Sequence, residues 1–201
     1  MGNSPKFRRE IFRKLFHVSG LFIVLGYSFV LFNFGQRAAL LVLTALLLTL
    51  LEIEHVRLEY ALELPGSIMR LLRHHEKDRV TSTIWLVAAC IIAFSVFDYP
   101  IAFLSFFFVI FGDMFASIIG VRFGKKKLFR KKSWAGFLAG LAVNVLSGAF
   151  IMPEMPIIYL SMAFTASVVE LLTSKLDDNF TVPLFAGFVG QALLSLGGLL
   201  G

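Results

Sequence analysis

The chain of 201 residues is 58% hydrophobic and only 16% charged, with a mean hydropathy of +0.83. Soluble domains carry about a quarter of their residues as charges, so this composition excludes a soluble fold and reads as an all-α, polytopic integral membrane protein with a single membrane-embedded domain over residues 1–201. The formal net charge of +6 describes one face of such a molecule, and no nucleic-acid partner is expected.

A helix needs about 20 apolar residues to cross the hydrocarbon core. Seven runs of roughly that length follow one another, at 16–34, 38–54, 80–97, 100–120, 133–152, 156–174 and 182–200. The first is preceded by basic residues, but it is too long for a signal-peptide core and lacks a clear small-residue cleavage site, so it is read as a spanning helix. The second is short unless Glu52 and Glu54 sit at or just below the headgroups. After it, EYALELPGSIMRLLRHHEKDR mixes apolar and charged residues on a helical period, as an interfacial anchor would. Cys90 falls mid-span and reads as packing, and His17, His55, His74 and His75 lack metal-site spacing.

Lys and Arg in short loops set orientation. With the N-terminus cytoplasmic, residues 1–15, about 55–79, 121–132 and the turn around Lys175 lie inside, together with every Lys and Arg except Arg37. The external connections at 33–37, 97–100 and 153–156 are too short to hold a site, so function is expected at the cytoplasmic face.

Four clusters there carry chemistry. In FRKLFHVSG, Arg13, Lys14 and His17 enter the first helix, with Arg13 and His17 on one face; simple positive-inside anchoring explains the two cations better than the deeper His17. In FGDMFASIIGVRFGKKK, Asp113 interrupts an apolar span on the same side as Ser117. A carboxylate at that depth costs a few kcal/mol unless paired, hydrated or metal-bound, which makes it a functional candidate. The small residues Gly112, Ala116 and Gly120 serve helix packing equally well, while Gly124 before Lys125, Lys126 and Lys127 resembles a phosphate cradle in type. Lys131, Lys132, Ser133 and Gly136 open the fifth helix, where unpaired N–H groups attract anions and Ser133 also reads as an ordinary N-cap. Finally, Glu170 ends the sixth helix and Asp177, Asp178 and Asn179 form a polar turn before Pro183. Mg²⁺ prefers oxygen ligands and often bridges one or two carboxylates to substrate phosphates, so Asp113, Glu170 and Asp178 are candidates to converge on one.

RKLFHVSG, GDMFASIIGVRFGKKK, KKSWAG and a Glu followed by DDNFTVPL stand in the order of motifs found in the CTP-dependent lipid-alcohol kinases: dolichol kinase, phytol kinase and CTP-dependent diacylglycerol kinase. The resemblance covers most of the chain. It departs at Ala135, where the family pattern has Glu, and at Ser82, where it has Gly. What it implies is transfer of the terminal phosphoryl group of CTP to the hydroxyl of a membrane lipid, giving CDP and a lipid monophosphate. On that reading Mg²⁺ is held by Asp113 and Asp178 with Glu170 and Asn179. Arg13, Gly120, Gly124, Lys125, Lys127, Lys132, Ser133 and Gly136 bind nucleotide phosphates, His17 and Lys14 steady the transferred group, and Asp113 accepts the hydroxyl proton.

Two other readings stand beside this one: a cytidylyltransferase that makes a CDP-lipid and releases pyrophosphate, and a transporter of small anions or lipids with Asp113 and Glu170 as coupling groups. Neither half of the chain mirrors the other, which weighs against transport by paired repeats. The identity of the lipid and the oligomeric state, including a homo-oligomer, stay open.

Overall fold

The computed structural model describes residues 18–59, 80–130, 132–173 and 176–200, with side chains to 198. Arg13, Lys14, His17, the amphipathic segment after Glu59, Lys131 and Lys175 lie outside the described residues. The chain is mostly helical. Its elements are α1 (Gly20–Phe34), α2 (Gln36–Glu59), α3 (Ser82–Val96), α4 (Tyr99–Phe123), the short strands β1 (Lys127–Phe129) and β2 (Lys132–Ser133), α5 (Trp134–Ile151), α6 (Pro156–Leu172) and α7 (Asp178–Leu200). By length and composition α2, α4, α5 and α7 are able to cross a membrane, while α1, α3 and α6 are shorter apolar helices.

Tight turns force neighbouring helices antiparallel. Only Gly35, at φ 84°, separates α1 from α2, a backbone conformation that costs glycine nothing sterically. The far end of the bundle is pinned by neutral amides: Gln36 Nε2 donates to the Phe94 carbonyl at 3.1 Å and the Asp98 N–H to Gln191 Oε1 at 2.8 Å.

α4 runs through the centre, against α1, α3, α5 and α7. Ile101, Leu104, Phe106, Phe108, Val109 and Ile110 on it are fully buried, and Phe106 stacks on Phe94 of α3, which stacks in turn on Tyr27 of α1. Phe22, Phe32, Phe150, Phe164 and Phe188 point outward instead, as helices that face hydrocarbon require. Within α4, Phe108–Gly112 form a π turn that ends at Asp113.

The small-residue stripe lets α4 and α5 approach closely. A Cβ on Gly136 would lie 2.6 Å from the Ala116 carbonyl oxygen, one on Gly140 3.2 Å from that of Gly112, and one on Gly112 2.3 Å from Asn144 Oδ1. Gly124 is glycine for the same reason: a Cβ there would come within 2.4 Å of Ser133 Oγ.

Three departures from the sequence-based expectations have physical causes. α2 continues past Glu54 to Glu59 because Arg57 neutralises Glu54 within the helix. The basic loop expected at 121–132 carries two paired short strands, Lys127–Phe129 and Lys132–Ser133, with Arg130 at φ 51° after the first. α7 starts at Asp178, ahead of the expected 182, so Pro183 lies inside the helix instead of ending a turn; Asp177 caps it, its carboxylate accepting the Asn179 N–H at 3.0 Å.

The glycine seam yields a paired expectation. Gly136→Val should destabilise the bundle by about 1–3 kcal/mol through overpacking, whereas Gly26→Ala, with nothing within 4 Å, should be neutral or slightly stabilising. Thermal unfolding of both variants in detergent measures the contrast, and equal behaviour would refute the seam.

Candidate functional site: a polar rim at one end of the bundle

The C-terminal ends of α2, α4 and α6 and the N-terminal ends of α3, α5 and α7 lie together, and polar contacts link them in a chain. Glu54 accepts from Arg57 at 2.6 and 2.9 Å, a bidentate pair buried within α2, and also accepts the Thr81 N–H ahead of α3 at 2.7 Å. Ser82 Oγ donates to Asp177 at 2.7 Å, and Asn179 Nδ2 donates to the Ser82 carbonyl at 3.3 Å, so α3 and the start of α7 are tied twice. Thr173 and Thr181 meet between α6 and α7. From β2, Lys132 Nζ donates to the Glu170 carboxylate at 3.1 Å and to the Glu170 carbonyl.

Three carboxylates face this rim from separate helices. Asp113 and Glu170 are buried, and Ser117 Oγ lies 3.4 Å from Asp113 on the same side of α4. Asp113, Lys132 and Asp178 all act electrostatically on Glu170, the two carboxylates opposing its charge and the ammonium favouring it. Among the described residues, no three His, Cys, Asp or Glu side chains are grouped closely enough to enclose a metal ion by themselves.

The hairpin brings basic and small residues to the same end. Lys125 and Lys127 are exposed, and Lys132 is turned toward Glu170. Ser133 Oγ accepts the Gly136 N–H at 3.2 Å as the N-cap of α5, and the Trp134 N–H donates to the Lys126 carbonyl at 3.1 Å. Two of the amides that open α5 are thus already partnered within the chain. Gly120, Gly124 and Gly136 all have packing roles in the seam.

Sequence comparison was made against known proteins. Over 217 residues the chain is 25% identical to CTP-dependent diacylglycerol kinase 1 of Saccharomyces cerevisiae, covering 93% of this chain and 74% of that one. It is 29% identical over 151 residues to probable phytol kinase 2, chloroplastic, of Glycine max, covering 63% and 50%. With a probable phytol kinase, chloroplastic, of Zea mays the identity is 33% over 118 residues, covering 48% and 37%. The homologues of this chain are thus named phytol kinase and CTP-dependent diacylglycerol kinase. The chain spans half the length of the soybean relative and about three quarters of the yeast one. No family model and no solved structure matches.

Within this lipid-kinase homologue the structure adds residues that motif reading passes over. Asn144, almost fully buried, donates from Nδ2 to Ser167 Oγ at 3.2 Å and rests its Oδ1, without a hydrogen-bond partner, against Gly112 beside the π turn. The available signal was a lone amide in an apolar span. Glu54 with Arg57 carried another, opposite charges three residues apart at a span end. Ser82, where the family pattern has Gly, supplies the hydroxyl that holds Asp177.

The Lys132–Glu170 pair can be tested on its own. Lys132→Met should destabilise the folded protein by about 1–3 kcal/mol, because it strands a buried carboxylate. Adding Glu170→Gln should recover much of that loss, as a double-mutant cycle of unfolding in detergent would show; strictly additive losses would mean that the pair is not coupled.

Proposed function

We propose that this protein is a CTP-dependent lipid-alcohol kinase of seven spans, with its N-terminus and catalytic rim on the cytoplasmic side. The single observation that carries the reading is that carboxylates on α4, α6 and α7 lie at the end of an apolar bundle where Lys132 of the basic hairpin pairs with Glu170, in a chain whose homologues are named as lipid kinases. Among the described residues, every Lys and Arg except Arg37 lies toward that end, which supports the orientation.

Phosphoryl transfer asks a protein for positioning and charge neutralisation more than for covalent chemistry. Asp113 and Asp178, with Glu170 and Asn179, are the donors that would hold Mg²⁺; when bound, the ion neutralises charge on the transferred phosphoryl group. Lys125, Lys127 and Lys132 are the cations for the nucleotide phosphates, with Ser133 and the glycines at 120, 124 and 136 shaping the wall beside them. Lys132 pairs with Glu170 in the structure, so its engagement with a phosphate means giving up part of that contact. Arg13, Lys14 and His17, outside the described residues, are assigned to the transferred group on the motif resemblance alone. Asp113, with Ser117 Oγ 3.4 Å away, is the carboxylate assigned the proton of a hydroxyl whose prenyl or acyl chain stays in hydrocarbon, where the ion leaves one of its oxygens free. The lipid class, a polyprenol, phytol-type prenol or diacylglycerol, is decided by assay.

Purified protein given CTP labelled at the gamma phosphate, with a panel of lipid alcohols, should yield labelled lipid monophosphate. Asp113→Asn should lower the rate roughly a hundredfold or more, the scale of losing one preorganised charge contact in a transition state. Label entering lipid only from the alpha phosphate of CTP would replace the kinase reading with nucleotidyl transfer.

A further inference from the structure

The buried pair Glu54–Arg57 lies apart from Asp113 and Glu170, yet hydrogen bonds through Thr81 and Ser82 join it to Asp177 and Asn179, the two residues that flank Asp178. Arg57 grips both oxygens of Glu54, and one of these oxygens also receives the Thr81 N–H at the entrance of α3. The next residue, Ser82, holds the Asp177 carboxylate through its hydroxyl and the Asn179 amide through its carbonyl. Asp178 sits between these two tethered residues as the first residue of α7, and its carboxylate acts on Glu170. Trp85, one turn into α3, packs edge-on against Phe180 at 5.5 Å, closing the same junction with apolar surface.

We propose that Glu54, clamped by Arg57, is a positioning residue that sets where the Asp178 carboxylate stands, acting through Thr81 and Ser82; the consequence for catalysis rests on the kinase reading above. The physical case is that a buried ion pair is a costly way to gain stability, since apolar residues of the same volume usually do as well. What it does supply is one fixed geometry. Here the fixed object is the N–H of Thr81, and with it the register of α3 against α7. A helix start that shifts by an ångström carries Ser82 with it and hence both residues that flank Asp178. Arg57 supplies the guanidinium fork that keeps the Glu54 carboxylate aligned with Thr81.

The test uses the full chain in lipid nanodiscs, in a Trp134→Phe background that leaves Trp85 as the sole tryptophan of the two. Glu54→Ala, Ser82→Ala and the double variant are compared by Trp85 emission and lifetime and by the Mg²⁺ dependence of label transfer from CTP. Both single variants should change the Trp85 signal and raise the Mg²⁺ midpoint roughly tenfold or more, the effect expected when a partner behind a metal ligand is lost. The KM for the lipid should stay fixed, and the double variant should be no worse than the stronger single one, because both cut the same path. Should Glu54→Ala fail to fold, Ser82→Ala decides alone. An unmoved Trp85 signal or Mg²⁺ midpoint, or losses that multiply in the double variant, overturns the proposal. If the unaltered protein labels no lipid alcohol, the kinase reading falls while the Trp85 comparison still decides the linkage.

Discussion

A carboxylate can remain buried at the end of an apolar helix bundle only when a cation or strong donors meet it, and at Glu170 that role falls to Lys132. The penalty for an ion without a partner in such surroundings is several kcal/mol, large enough to dictate the path of the chain that supplies one. Lys132 also donates to the Glu170 carbonyl, one of the last carbonyls of α6, where a helix offers partial negative charge. The lysine is therefore held by charge and by the dipole of the helix end together. Holding Lys132 fixes β2, β2 fixes Ser133 one residue later, and Ser133 caps α5. The placement of the basic hairpin is in this sense a consequence of the buried acid.

The π turn in α4 answers a second constraint. Up to Phe108 the helix must bury aromatic and branched side chains on nearly every side, whereas after Gly112 it must present Asp113 and Ser117 toward the rim and a smooth stripe toward α5. One residue inserted into a helix rotates everything after it by about 100°, and π turns recur at functional positions for that reason. The backbone irregularity is accommodated beside Gly112, where the missing side chain leaves room for the Asn144 amide. Seam, π turn and Asp113 are thus one arrangement. A larger residue at position 112 would disturb all three.

Much of the fold was legible because hydrocarbon imposes a simple pattern: apolar runs separated by short turns, with cations sorted to one side. The runs are helical over most of their described residues, four of them long and apolar enough to span, and Ser133 caps α5 as its position before an apolar run suggests. The misses share a physical origin. Glu54 looked like the end of a span because sequence shows a charge but not its neutralisation by Arg57 one turn on. Pro183 looked like a terminator because it lacks an N–H, yet a capping Asp at 177 starts α7 early enough to absorb it within the first turns. Asp178 read as part of a polar turn, whereas Asp113 and Glu170 stood out since carboxylates are rare in spans. Asn144, Ser82 and the Glu54–Arg57 pair did not, because what they do is defined by partners 23 or more residues away.

The two ends of the bundle differ in kind. At the far end, Gln36, Asp98 and Gln191 satisfy helix termini with amide hydrogen bonds and short turns, and Tyr99 closes onto Ser28. At the rim, ionised groups are concentrated and cross-linked between five helices. Moving a solute by alternating access calls for comparable gates on both sides of a central site, usually on discontinuous helices in two related halves. Here the described helices carry one interruption, in α4, and the polar groups near it lead only toward the rim. Closed on one side and chemically dense on the other, the bundle concentrates its polar groups at one end, as the proposed phosphoryl transfer to a lipid hydroxyl requires.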